Sequence, residues 1–91
     1  MALAFKDKDL EDLYYDGKSK KIDKRWHKII LDTLDYTNAA PGPMSYGKYR
    51  DFHPLKGKRE GVYAVTVTKN WRVTFRFDDG EWVDVNLEDY H

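Results

Sequence analysis

Apolar positions along this chain change their period once, a little past its middle. Leu10, Leu13 and Tyr14 recur at i, i+3 and i+4, which lines one face of a helix. Asp7 stands where an N-cap would accept the first free amides, and Gly17 where a left-handed residue would end the helix. Ile22, Trp26, Ile29, Ile30 and Leu34 form a longer stripe of the same period. They predict a second helix from near Asp23 to just before Pro41, with Lys24, Lys28 and Asp32 on its opposite face. APGPMSYGKYRDFHPLKGKREG, residues 40–61, is dense in Gly and Pro and reads as an irregular connection. A connection this long in a small domain is often functional.

After Gly61 the period falls to two. Tyr63, Val65 and Val67 alternate with Ala64, Thr66 and Thr68; Trp71, Val73, Phe75 and Phe77 alternate with Arg72, Thr74 and Arg76. Val83, Val85 and Leu87 alternate with Trp82, Asp84 and Asn86. These are three strands of a meander with one apolar face. Asp79-Gly80 invites a two-residue hairpin turn, but that turn sets Phe75 opposite Asp84, and a one-residue slip reverses every side chain. Three-residue loops at Asp78-Asp79-Gly80 and at Thr68-Lys69-Asn70 instead pair Phe75 with Val83 and Val65 with Val73. The second loop would hold Asn70 left-handed. With the helices on the Tyr63/Phe75/Val83 face, Arg72 and Arg76 are expected on the open one, about 13 Å apart by strand rise. Arg76 there has two ordinary readings, a solvated arginine or one stacked on Trp82. The expected fold is α+β: a small single domain over residues 1–91, two N-terminal helices packed on one face of an antiparallel meander, with room for a short N-terminal edge strand.

The 91 residues support one modest core, and 41% apolar with 15% aromatic residues is a globular composition. No cysteine is present, so disulfides and thiolate metal sites are excluded. No run approaches the ~20 apolar residues of a membrane span. The opening MALAFKDKD has too short an apolar stretch for a signal peptide, and a cytoplasmic location without membrane attachment is expected. A formal net charge of zero argues against nonspecific coating of nucleic acid, but the charge is unevenly spread. Residues 48–76 carry eight Lys and Arg against Asp51 and Glu60, whereas residues 77–91 carry six acids and no Lys or Arg.

Candidate chemistry is sparse. Phosphate-loop, dinucleotide-binding, zinc-protease and serine-hydrolase motifs are all absent, and three histidines without cysteines make a structural zinc site improbable. His27 falls inside the second helix and reads as a structural residue. His53 opens a basic loop with Lys56, Lys58 and Arg59 that feeds the first strand of the meander. If the chain's end curls over the open face, Asp89, Tyr90 and His91 meet Arg72, His53 and Lys56. Two imidazoles, a phenol, a carboxylate and cations suit RNA cleavage by its own 2′-hydroxyl, with a base, cations for the phosphorane and an acid for the leaving 5′ oxygen. That reaction requires no metal and no cofactor.

HPLKG-x-REG, V-x-x-NWR-x-x-F-x-F and the closing EDYH, all within residues 52–91, resemble the C-terminal half of the HigB (host-inhibition-of-growth) toxins of the RelE/ParE superfamily. FKDKDLEDLYYDGK near the start is a weaker match, and residues 17–50 add little. The resemblance implies a ribosome-dependent endoribonuclease of a type II toxin–antitoxin pair, cutting messenger RNA in the ribosomal A site. It implies a HigA-like helix-turn-helix antitoxin as partner, with operator DNA reached only through that complex. Carried over by matched position, His53, Lys56, Arg72, Asp89, Tyr90 and His91 become catalytic candidates. By their charge and place, Lys56, Lys58, Arg59, Arg72 and Arg76 are the phosphate- or RNA-binding candidates; Arg76 matches no part of the pattern, and Arg59 reads as phosphate-binding or structural. Two histidines permit either order of acid and base. A gyrase inhibitor of the same superfamily, for which EDYH is unnecessary, and a non-catalytic RNA- or partner-binding module are the alternatives.

Overall fold

The computed structural model describes residues 3–90, so His91, one of the catalytic candidates, lies outside the described residues. A short strand β1 (Leu3–Phe5) leads into helix α1 (Lys8–Asp16), and a 3-10 turn at Lys24–Trp26 runs on into helix α2 (His27–Ala39). Strands β2 (His53–Pro54), β3 (Val62–Thr66), β4 (Trp71–Asp78) and β5 (Glu81–Asp89) follow. The sheet order is β1-β5-β4-β3-β2. The meander is antiparallel as expected, while β1 joins its free edge parallel to β5. The edge strand β2, inside what reads as irregular connection, pairs His53 with Ala64.

The helix ends obey their local signals. Asp7 accepts from the Asp9 and Leu10 amides, and Gly17 at φ 73 closes α1 by donating to the Leu13 carbonyl. Leu10, Leu13, Ile30 and Leu34 are buried against Val65, Val73, Phe75, Trp82 and Val85 of one sheet face. The connection between α2 and β3 is tightly packed through its aromatic residues. Tyr46 stacks on Phe52 at 4.0 Å and Phe52 on Tyr63 at 5.2 Å. Tyr36 of α2 stacks on Tyr49 at 4.0 Å. Burial pushes the Tyr46 phenol well above the usual tyrosine range, and its oxygen shares a 2.8 Å hydrogen bond with the Thr37 hydroxyl.

One register expectation is corrected. Asp79 (φ 51) and Gly80 (φ 79) do form the two-residue turn, so Arg76 faces Val83 and Phe77 faces Trp82. Both positive φ values belong to a turn whose twist matches the hairpin. The mixing of faces that disfavoured this turn is relieved by a β-bulge. The register shifts between Thr74 and Arg76, leaving Asp84 and Val85 together opposite Phe75, with Asp84 left-handed at φ 53. Trp82 therefore points inward and is fully buried, donating from its indole nitrogen to the Ala40 carbonyl at 3.0 Å. It is not on Arg76's face, which removes the expected stacking of that pair. Beyond the bulge Val73 faces Leu87 and Arg72 faces Glu88.

The β3–β4 turn keeps the predicted pairing of Val65 with Val73. Asn70, however, is not left-handed; the Thr68 hydroxyl holds the turn by accepting from the Asn70 and Trp71 amides. The bulge yields a stability prediction. Asp84→Gly retains or improves stability in urea unfolding, whereas Asp84→Val loses about 1–3 kcal/mol because a β-branched residue resists the left-handed region. Equal stability of the two variants would show that β5 does not turn at that residue.

Candidate functional site

The open face of the sheet is organised in cross-strand rows. One row runs His53, Ala64, Thr74, Asn86; the next holds Thr66, Arg72 and Glu88; a third holds Val62, Arg76 and Val83. The basic loop after β2 folds over these rows, with a 3-10 turn at Gly57–Arg59. Lys6, Lys58, Arg59 and Arg76 surround a cleft of about 250 Å³ whose floor is Thr74, Asn86 and Glu88, with Asp84 at its side. Gly61 makes this approach possible: at φ 94 its missing Cβ would stand 3.0 Å from the Arg76 guanidinium.

Glu88 is a site residue that the expected register hid. With a three-residue turn, Asn86 would face Arg72; the bulge puts Glu88 there instead. Its carboxylate accepts two bonds from Arg59, at 2.7 and 2.6 Å, and one from the Thr74 hydroxyl. The Arg59 guanidinium, opposed by burial and aided by Thr74, holds the Glu88 carboxyl below its ordinary value. Lys6 was also missed, since nothing in the local sequence shows that parallel pairing of β1 brings it to this cleft.

Arg72 is held on both sides. One guanidinium nitrogen donates to the Thr68, Lys69 and Trp71 carbonyls at 2.7, 3.1 and 3.2 Å, binding the β3–β4 turn. The guanidinium carbon lies 5.3 Å from the centre of the Tyr90 ring. The Tyr90 amide donates to the Asn70 carbonyl of the same turn, so Tyr90 is fastened to the meander. Tyr90 and Arg72 therefore meet as the open-face arrangement requires.

The remaining candidates divide. His53 is half-exposed on the row of Thr74, and its Nδ1 lies 2.7 Å from the Asp51 carbonyl. By strand spacing its Cα is ~12 Å from that of Arg72, two strands across and two residues along. Lys58, Arg59 and Arg76 share the cleft, but Lys56 lines a separate hollow with Pro54, Leu55 and Tyr63. Asp89 faces Trp71, so alternation sets its side chain on the helix-bearing side, away from Arg72. His27 donates from Nε2 to the Ile22 carbonyl at 2.8 Å, a structural role. Among the described residues no three His, Asp or Glu side chains are grouped to hold a metal, and no helix is long and apolar enough to cross a membrane.

The arrangement of two helices on a five-stranded sheet is shared with solved toxin structures. The YoeB/ParE toxin from Agrobacterium tumefaciens superposes over the whole of both chains with a TM-score of 0.66 at 16% identity. The YoeB toxin in a heterotetrameric YoeB–YefM toxin–antitoxin complex from Staphylococcus aureus does so over 100% of this chain and 97% of its own, with a TM-score of 0.63 at 22% identity. Residues 3–91 match the family described as the RelE-like toxin HigB of type II toxin–antitoxin systems. Endoribonuclease HigB of Proteus vulgaris is 38% identical over 93 aligned positions covering the whole of both chains. The chain belongs to the HigB-like toxin family.

The Arg59–Glu88 pair makes stability depend on acid. Because the folded carboxyl titrates below 4.5, its contribution is complete above that pH and is lost as pH falls through the lower folded value. At pH 7 Glu88→Gln is expected to be less stable than the parent by up to about 1 kcal/mol, the pair being partly exposed. The difference should shrink below pH 4.5, as read by urea midpoints at pH 7 and pH 3; a constant difference would rule out the linkage.

Proposed function

We infer that this toxin is an endoribonuclease that stops growth by cutting messenger RNA in the ribosomal A site, using groups on the open face of its sheet. Family membership and an endoribonuclease relative matched over its full length support RNA cleavage. The observation that carries the choice of site is the pairing of Arg72 with Tyr90 on the face that also bears His53 and the basic cleft. Arg72 donates to the Thr68, Lys69 and Trp71 carbonyls, which hold its guanidinium beside Tyr90, where a phosphate could accept from its remaining N–H groups.

In this reading a base removes the proton of a 2′-hydroxyl, and the freed oxygen attacks the adjacent phosphorus. The bond from phosphorus to the 5′ oxygen breaks, an acid protonates that oxygen, and a 2′,3′-cyclic phosphate and a 5′-hydroxyl end remain. His53 and His91 are the proton carriers, and Arg72 stabilises the phosphorane, with Tyr90 fixing its guanidinium. Lys58, Arg59 and Arg76 guide the phosphates on either side; Lys56, in its neighbouring hollow, extends that track. Asp89, whose side chain lies on the helix-bearing side, takes no step in this reading. The chemistry is complete without a metal ion.

The partner is an antitoxin, as in the YoeB–YefM assembly; a HigA-like helix-turn-helix protein is the expected type, and operator DNA is contacted through it. A cytoplasmic location follows from a ribosomal target. With net charge zero, the protein depends on the ribosome to present its substrate.

Primer extension on a message translated in vitro tests this directly. Cuts are expected inside A-site codons and only when ribosomes are present; naked RNA at physiological salt should stay essentially intact. His53→Ala, His91→Ala and Arg72→Ala should each lower cleavage by about 100-fold or more while antitoxin binding persists. Toxicity that survives loss of both histidines would sink the mechanism. Intact RNA with altered plasmid supercoiling would identify a gyrase inhibitor instead.

A further inference from the structure

Just ahead of His53 the backbone does something costly. Arg50 (φ 46, ψ 46) and Asp51 (φ 60) are consecutive left-handed residues, and neither is glycine. Each such residue stores roughly 1 kcal/mol or more and persists only where its surroundings hold it. The hold is visible. Arg50 donates from Nε to the Thr66 carbonyl at 2.8 Å and from a terminal nitrogen to the Val67 carbonyl at 3.0 Å. Its side chain thus fastens the strained turn to the end of β3, sixteen residues away in sequence.

What the turn presents is the Asp51 carbonyl, 2.7 Å from Nδ1 of His53. A carbonyl can only accept, so Nδ1 must carry the hydrogen. In a neutral imidazole the lone pair then belongs to Nε2. The pairing of His53 with Ala64 in turn sets the ring on the row of Thr74 and Asn86, on the open face. A base for a 2′-hydroxyl needs such an acceptor facing the substrate.

We propose that Arg50 is a positioning residue for RNA cleavage, which by clamping the Arg50–Asp51 turn to β3 keeps His53 in its Nδ1–H form with Nε2 as the general base. The proposal rests on the reading of His53 as a proton carrier, and it assigns the acid's role to the other histidine. The Asp51 carboxylate, 4.0 Å from the same Nδ1 and mostly exposed, is not the device; the main-chain oxygen is.

Long-range proton–nitrogen NMR of the ring-labelled toxin, in mildly alkaline buffer where ordinary imidazoles are neutral, reads the tautomers directly. His53 is expected as Nδ1–H and His27, which donates from Nε2, as the opposite form. In Arg50→Ala the His53 signals should move to the average of two tautomers and ribosome-dependent cleavage should fall about tenfold. His27 should not change, which shows that the fold persists. Arg50→Lys, with a single donor in place of the fork, should fall between. Asp51→Gly removes the carboxylate, keeps the carbonyl and accepts the left-handed backbone, so it should retain both the tautomer and the activity. Wild-type His53 found as Nε2–H, His53 unchanged in Arg50→Ala, or a tautomer lost in Asp51→Gly would each overturn the proposal. Full cleavage by Arg50→Ala beside an inactive His53→Ala overturns the positioning role alone. Full cleavage by His53→Ala overturns the catalytic reading of His53 itself.

Discussion

The extra residue in the last strand is the constraint on which the open face depends. A two-residue turn at Asp79-Gly80 commits the hairpin to a parity in which Trp82 is inside and Val83 outside. Without correction that parity would carry Glu88 and Tyr90 to the helix-bearing side and expose Val85 and Leu87. One left-handed residue, Asp84, reverses the alternation, so Val85 returns to the core and Glu88 and Tyr90 emerge beside Arg72. Core packing and site assembly are thus satisfied by the same bulge. Trp82 gains the interior, among Phe75, Phe77 and Tyr46, and the site gains its outward residues.

Most of the fold was legible in the sequence because its signals were local. The Asp7 cap, the Gly17 stop, the part of the stripe from Ile29 to Leu34 and the alternation of β3 and β4 each depend on residues within or next to one element. Ile22 and Trp26 precede α2, which starts at His27 rather than near Asp23. The bulge was not legible, because it resolves a conflict between a turn preference and a packing preference lying four residues apart. Aspartate has no strong left-handed signature of the kind glycine would have supplied at that position. The β3–β4 turn shows a milder form of this: its register could be inferred, but the Thr68 hydroxyl, not a left-handed Asn70, supplies the closure.

The candidate site was legible in part for a related reason. Residues carried by motif and alternation, such as Arg72, Arg59 and His53, stand on the open face or over it. Asp89 and Lys56 do not follow them: Asp89 continues the inward alternation of Val85 and Leu87, and Lys56 lies on the far flank of a turning loop. Glu88 and Lys6 enter through pairings that no short stretch announces. The connection from residue 40 to 61 shows the same limit. Its Gly and Pro content conceals an aromatic stack that anchors it, and that order is what allows strain to be held at Arg50 and Asp51.

The bridge from Arg59 to Glu88 gives the cleft an internal counter-ion. A polyanion reaching Arg59 does not simply displace small ions from a bare cation; it exchanges places with a carboxylate tethered 29 residues away in the chain. The released carboxylate stays within the cleft, where it repels the newcomer. Fewer salt ions would be liberated than the number of Lys and Arg around the cleft implies, so any polyanion held there would bind with a shallower dependence on ionic strength. With a formal net charge of zero the protein offers little attraction at a distance, so such an exchange would be decided by the geometry of the cleft.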